Sequence, residues 1–474
     1  MSDVKDIPFT GEKSGLDELS GASPYFTNAL VDRANVIRAR PGIVAWSDFP
    51  AAPPSTGAVT MMIAFQDRLI YTTADGQIFA FNPTDNTVAS LSLDGGNSLL
   101  EGDMRPTAAA TGTVLVIVAG GAPQKVSIAF VSSRLGGSPP NATGIAILTR
   151  RIVLSKPNSG EFDWSGVLET DAEVWDDALE FEEAEARNDA LVTLSSATRE
   201  LYAFGEETVE TFAPDQDSTF SPTSAIEVGC GAPRSVVRWN NLHAWVDDRR
   251  RIVMSDAHDF DDSSIISKDI QNQLEALTVL DDAWGFRLAA GQHDCLGWVF
   301  PTEGRAFAIE MSTKTWSQWH GWTAGRLGPW RPTTFYYWRE KGLYLVGLAN
   351  GTIARLSFQA YTDLGDPIFW RARSGFVDHG VLHQKAPLMA HFQFRRGGAV
   401  SSESSVGVTW RDDLGGFVPA LSFSLGTAGD VEPTVEITPA GASYHQRQWE
   451  LSSTAADAIA MVAARETFDT LEVG

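Results

Sequence analysis

Between Val59 and Phe358 short runs of alternating apolar and polar residues come three or four at a time, end in a polar turn, and recur about every 35 to 50 residues. The clearest unit runs Val59-Thr-Met-Met-Ile-Ala-Phe65, Leu69-Ile-Tyr-Thr72, Gln77-Ile-Phe-Ala-Phe81 and Val88-Ala-Ser-Leu-Ser-Leu93. Asp75-Gly76 and Asn82 to Asn86 lie between the runs, where a hairpin wants positive φ or a preset turn. This pattern predicts radially repeated β-structure, a β-propeller. Candidate blades fall near 59–93, 106–130, 143–188, 189–228, 234–270, 281–319 and 332–358. The interruption Gly136-Gly-Ser-Pro-Pro140 in the second leaves the blade number at six or seven.

Residues 1–50 read as an irregular, polar N-terminal arm ending in a short strand near 43–47. The last blade shows only three runs, and that strand supplies its fourth, so that the ring over 51–360 closes with no sheet edge left unpaired. After the Gly/Pro/Asp-rich segment 361–367 the rhythm changes. Runs at 369–376, 387–394, 406–410, 420–425, 434–437, 447–451 and 458–463 have the spacing of an antiparallel β-sandwich over 361–474. The expected fold is therefore all-β, a six- or seven-bladed β-propeller followed by a C-terminal antiparallel β-sandwich. The acidic stretch 167–188, including Glu180-Phe-Glu-Glu-Ala-Glu-Ala-Arg187, reads as a solvated surface helix or ordered loop.

Composition narrows the possibilities. A 43% hydrophobic chain of 474 residues has enough apolar material for real cores. The longest apolar runs, such as Val114-Leu-Val-Ile-Val-Ala119, stop well short of a membrane helix, and the N-terminus lacks the basic and apolar regions of a signal peptide. A soluble protein made in the cytosol, without a membrane anchor, is expected. Cys230 and Cys295 stand 65 positions apart with no second thiol nearby, so buried free thiols are expected rather than a disulfide framework or zinc site. A net charge of −24 argues against gripping nucleic acid by its phosphates, but suits an acidic channel through which DNA passes without sticking. Arginine outnumbers lysine, 28 to 8, and arginine is the cation enriched at protein interfaces.

Catalytic and cofactor motifs are not found. Phosphate-binding and dinucleotide loops, nucleophile elbows and His-Glu-x-x-His sites are missing, so no catalytic, cofactor-binding or metal residues are assigned. His379 and His383 have an i,i+4 spacing that would share a metal on a helix, but they sit in strand-and-turn sequence, where that spacing spans about 13 Å. The segment Thr409 to Phe417 looks like a degenerate Asp-box hairpin, a turn whose role is structural. In Thr315-Trp-Ser-Gln-Trp-His-Gly-Trp322, Trp316 and Trp319 point to opposite strand faces and are expected to fill wedges between blades rather than to form a sugar platform. Arg249, Arg250 and Arg251, beside Asp247 and Asp248, are the candidate subunit-interface residues, on a charged hairpin turn.

Several segments in order resemble the tail hub proteins of short-tailed bacteriophages, also called packaged-DNA stabilization proteins. They are Asn35 to Trp46 with Arg40-Pro-Gly-Ile43, Arg150-Arg-Ile-Val-Leu-Ser155 with Phe162-Asp-Trp-Ser165, and Asp189 to Leu194 with Arg199 to Phe212. Gly229-Cys-Gly-Ala-Pro233, Trp370-Arg-Ala-Arg373, Val408 to Gly416 and Arg447-Gln-Trp-Glu450 follow. The resemblance implies a structural virion protein and no enzyme. It implies a homohexamer below the portal and head-to-tail adaptor, assembled in the host cytoplasm and carried in the virion tail. This hub or nozzle would extend the channel, retain the packaged genomic DNA and dock fibres, spikes or a plug. The chain departs from the family in its acidity and in the 167–188 segment. Two other readings remain open: a glycan-binding or polysaccharide-degrading propeller, which needs two carboxylates flanking a sugar bond, and a cytosolic β-propeller docking scaffold.

Overall fold

The computed structural model describes residues 3–9, 26–91, 100–166, 173–175, 181–184, 186–187, 189–197, 199–214, 220–381, 383–397, 404–413, 415–426, 430–439 and 443–471. Seven small antiparallel sheets follow one another along the chain, beginning with the strands Val59–Phe65, Thr107–Ala110, Gly144–Leu148, Leu191–Ala197, Val237–Trp239, Trp284–Ala290 and Thr334–Trp338. These first strands line the axis. Thr334–Trp338 of the last packs on Val59–Phe65 of the first, which closes a seven-bladed ring. Blade five has three strands, with Ile265 bridged to Val253 at its edge. Blade seven receives its outer strand from the N-terminus: Gly42–Ala45 runs antiparallel to Ile353–Ser357, with Ile43 opposite Leu356.

Each blade meets the next over its own apolar wedge, and this explains why the second strands read as unbroken apolar runs. In Arg151–Ser155, Ile152 and Leu154 pack toward blade two, whereas Val153 packs toward blade four. In Arg68–Thr73, Leu69 and Tyr71 join Trp46, Phe49 and Trp338 between blades seven and one, and Ile70 joins Leu115 and Ile117 between blades one and two. A strand buried on both faces shows no polar alternation. Trp316 lies in the wedge between blades five and six and Trp319 in that between six and seven, both buried, as expected for rings that fill wedges. Cys230 and Cys295 are both buried free thiols; burial pushes the Cys230 thiol up to about 12.

The C-terminal sandwich has two sheets around a core that includes Phe26, Ile37, Trp370, Phe392, Trp410, Trp449 and Met461. One sheet is Ala29–Val31, Ile37–Ala39, Ile459–Thr470, Lys385–Arg396 and Thr434–Ile437, with Asp3–Asp6 also paired to Ile459–Thr470. The other is Phe26–Thr27, Trp370–Arg373, Arg447–Ser453, Ser405–Asp412 and Leu421–Ser424. Thr27 pairs in parallel with Gln318, so this second sheet continues without a break into blade six. Among the described residues, the first forty, expected as an irregular arm, thus contribute four short strands to the sandwich. Strands of two to four residues are too short to show a period of two, and Asp3–Asp6 is exposed along its whole length. In the acidic segment, residues 167–172, 176–180, 185 and 188 lie outside the described residues, and Phe181–Glu183 is the fourth strand of blade three instead of helix.

Where the chain crosses from sandwich to ring, Arg40 and Asp363 form an ion pair at 2.5 Å whose side chains are 0% and 1% exposed. Arg40 Nε donates to Asn28 Oδ1 at 2.8 Å, Nη1 to Pro41 O at 2.9 Å and Nη2 to His320 O at 2.7 Å. Asp363 Oδ1 also accepts from the Ile43 amide at 3.2 Å. The fork of Arg40 is therefore matched on every side, which a buried guanidinium requires. Beside it, a Cβ on Gly42 would lie 2.4 Å from Thr362 O and 2.6 Å from Ala360 O, so only glycine lets the two backbones approach. Arg40→Leu would leave Asp363 buried and uncompensated, and urea denaturation should show a loss of roughly 3–5 kcal/mol; a loss below 1 kcal/mol would show that the junction is not held by this pair.

His243 lies fully buried between blades four and five, 4.3 Å from the Tyr202 ring, with Nε2 3.0 Å from Ser195 Oγ. Burial, with Arg238 nearby, pulls its imidazole from 6.5 to about 4. The unfolded chain then binds the proton more readily than the fold. Stability from this group is complete above pH 6.5 and falls as the pH drops toward 4, by about 3 kcal/mol. His243→Phe should remove about one proton from the pH slope of unfolding in that window, and an unchanged slope would disprove the assignment.

Candidate functional site

The Arg249–Arg251 turn joins Leu242–Val246 to Ile252–Ser255. Asp247, buried at its start, accepts from the Arg249 and Arg251 amides at 2.9 and 2.7 Å and from Arg251 Nε at 2.6 Å. Burial raises the Asp247 carboxyl above its ordinary value despite those donors. Arg250, at φ 60°, reaches inward to the carbonyls of Glu275 and Leu277. Only Arg249 turns outward, 64% exposed and 3.6 Å from Asp248. The structure thus separates the three candidate residues: Arg250 and Arg251 hold the turn, and Arg249 faces solvent. Two replacements test this: Arg249→Ala should change stability by no more than about 0.5 kcal/mol, and Arg251→Ala should cost roughly 3 kcal/mol by stranding Asp247. Equal effects in thermal denaturation would refute the division.

A cleft of about 790 Å³ opens between blades six and seven and the sandwich. Arg38, Arg355, Arg395 and Arg396 line it together with Tyr344 and Phe358. Arg38 donates to Phe358 O at 3.0 Å and lies 4.9 Å over that ring, and burial lowers its pKa. Arg396 is buried against Asp457 at 3.2 Å and donates to Leu425 O and Gly426 O. The exposed Arg395 stands 3.5 Å from Glu432. Asp32 and Asp457 line the cleft as well, so Arg38, Arg395 and Arg396 are each offset by a nearby carboxylate.

The ring axis is different in kind. A space of about 270 Å³ is lined by residues that include Thr60, Met62, Trp284 and Tyr336 from the innermost strands. Arg105, two residues before blade two, donates across it to Thr333 O beside blade seven. Arg234, three residues before blade five, donates to Arg105 O at 2.8 Å and to Thr143 O beside blade three at 3.0 Å. The axis is crossed by these two side chains. Neither was singled out from the sequence; the available signal was an arginine next to proline, just upstream of a blade's first strand, in Arg105-Pro106 and Pro233-Arg234.

The other residues weighed from sequence have structural partners. His379 adopts φ 55° and places Nε2 3.3 Å from Glu466, within a network in which Arg447 and Tyr444 also donate to Glu466, at 2.8 and 2.7 Å. Burial alone would raise the Glu466 carboxyl, but the His379, Arg447, Tyr444 and Trp449 donors outweigh it and hold it low. In the Asp-box-like segment Trp410 is core, Asp412 pairs with Arg447 at 2.6 Å, and Asp413 accepts from the His445 and Gln446 amides. No group of three metal-ligating side chains occurs among the described residues.

Residues 150–361, from blade three to the end of blade seven, match the family model described as Phage_stabilise: Bacteriophage P22 Gp10, beta-propeller. The match supports a phage structural protein. It favours a virion component over an enzyme. No curated protein matches the chain at a significant level. Among solved structures, the chain is similar to the computationally designed Ika8 protein at 11% identity, over 65% of this chain and 98% of that one, with a TM-score of 0.40. It is similar to BBS1N, crystallised in complex with ARL6DN, at 10% identity over 69% and 100%, with a TM-score of 0.42. It is also similar to Hsv2 of Kluyvelomyces marxianus, at 9% identity over 55% and 83%, with a TM-score of 0.32. These remote likenesses carry no functional weight.

Proposed function

We propose that this chain is a tail hub, or nozzle, of a short-tailed phage, assembling as a homohexamer on the portal and adaptor, retaining packaged DNA and docking fibres, spikes or a plug. The observation that carries the reading is the stabilisation-family match across blades three to seven of a closed seven-bladed ring. The axis is crossed by Arg105 and Arg234, whose side chains reach from blades two and five to the backbones beside blades three and seven, which leaves no open path for a duplex. DNA would run through the lumen between six copies, and copies of net charge −24 would favour passage over adhesion. Heterologous contacts that close a ring would use outward groups such as Arg249 and the arginine-lined cleft. The glycan reading loses its aromatic platform, because Trp316 and Trp319 are buried in interblade wedges.

Deletion of the gene tests the proposal. Electron microscopy and DNA quantification should show heads that fill and then leak, ending in a truncated stump. Tailed, DNA-filled particles would reject the hub role.

A further inference from the structure

We propose that the propeller axis binds a small oxyanion, of the phosphate or carboxylate class, between Arg105 and Arg234. The inference concerns the interior of one chain and stands apart from the hub reading. Two guanidiniums converge from blades two and five, and the protein acceptors they meet are neutral carbonyls: Thr333 O for Arg105, and Arg105 O and Thr143 O for Arg234. No carboxylate stands within ion-pair distance of either among the described residues; Asp282 acts on Arg105 only from farther away. This is notable in a chain with 60 Asp and Glu. The fully buried arginines have carboxylates, Arg40 with Asp363, Arg396 with Asp457 and Arg447 with both Asp412 and Glu466, whereas the partly buried Arg105 and Arg234 meet carbonyls.

Burying two like charges side by side without a counter-charge is costly. Burial first, and then Arg105 itself, pull the Arg234 guanidinium down to about 9, and burial brings Arg105 to about 10. Both residues line the axial space, and none of their nitrogens is buried without a hydrogen-bond partner. The Arg105 guanidinium lies 5.2 Å from the Trp284 ring centroid, which steadies its plane. An oxyanion bridging the two would turn repulsion into charge-assisted hydrogen bonds, which guanidinium forks give to phosphate and carboxylate alike. The space of about 270 Å³ falls below the range of about 300–1,000 Å³ usual for drug-sized ligands, which restricts the occupant to a small anion. Bound there, the anion would tie together blades two, three, five and seven through the two arginines.

The test is calorimetric titration of sodium phosphate, and separately of malonate, into the full chain in oxyanion-free buffer at ionic strength held with sodium chloride. One saturable site per chain is expected for at least one probe, with a rise in melting temperature. Phosphate binding alone would identify a tetrahedral oxyanion, and malonate binding alone a carboxylate. Arg105→Gln and Arg234→Gln should each weaken binding at least tenfold. Neither heat nor thermal shift with either probe, or unchanged binding in both variants, would overturn the proposal. Should the variants not fold, anomalous diffraction from wild-type crystals soaked with selenate, and separately with bromoacetate, decides it: a peak bridging the two guanidiniums with either supports the site, and its absence with both refutes it.

Discussion

The buried Arg40–Asp363 pair is the constraint on which the rest of this structure hangs. A propeller whose last blade borrows its outer strand from the N-terminus must bring residues more than 300 positions apart into register, at a substantial entropic cost. Main-chain pairing of Gly42–Ala45 does not by itself choose a register, because a shifted strand would make equally good ladder bonds. A charge that must be matched does choose. Asp363 accepts from both Arg40 and the Ile43 amide, so it fixes the strand and the residue leading into it together. Gly42, with no room for a side chain, forbids the neighbouring alternatives. The same arginine reaches Asn28 and the His320 carbonyl, so closure of the ring and attachment of the sandwich are one event.

That coupling shapes the energetics. Apart from the sandwich core, the apolar clusters are seven interblade wedges rather than one central core. Each wedge stabilises only the two blades that form it, so an open ring would leave one apolar face exposed on each terminal blade. Closure buries both at once between Trp46, Phe49, Tyr71, Phe81 and Trp338. The continuous sheet from blade six into the sandwich then extends the rigid body through Thr27. The sandwich carries its own buried polar centre, where Arg447 is held by Asp412 and Glu466.

What the sequence disclosed follows from how local each signal is. The blade repeats, though not whether they number six or seven, the closing strand near 43–47 and seven strands of the sandwich were legible because runs of four or more residues separated by turns carry their own period. Trp316 and Trp319 were legible as wedge fillers because they sit three apart, in and just after the strand Thr315–Gln318, and so turn to opposite faces. The four short strands before residue 40 were not, since two to four residues hold no period. Arg249, Arg250 and Arg251 look equivalent in sequence, yet one hairpin sends Arg250 to helix-end carbonyls, Arg251 to Asp247 and only Arg249 to solvent. Arg40 with Asp363, and Arg105 with Arg234, depend on partners 323 and 129 positions away, and no local pattern encodes such pairings.

These long-range arginines also separate two meanings of a channel. In a single propeller the axis is narrow and here crossed by cations, whereas the net charge of the chain is strongly negative. A path for DNA along the propeller axis would meet the guanidiniums of Arg105 and Arg234, which bind phosphate rather than let it slide. A path between copies would run past chains of net charge −24, which repel phosphate. Under the proposed hub reading, DNA would therefore pass between copies, each propeller being a closed stave of a wider wall, and not through a propeller axis. Under that reading outward arginines such as Arg249 and Arg395 would supply the local cations that like-charged copies need wherever they touch.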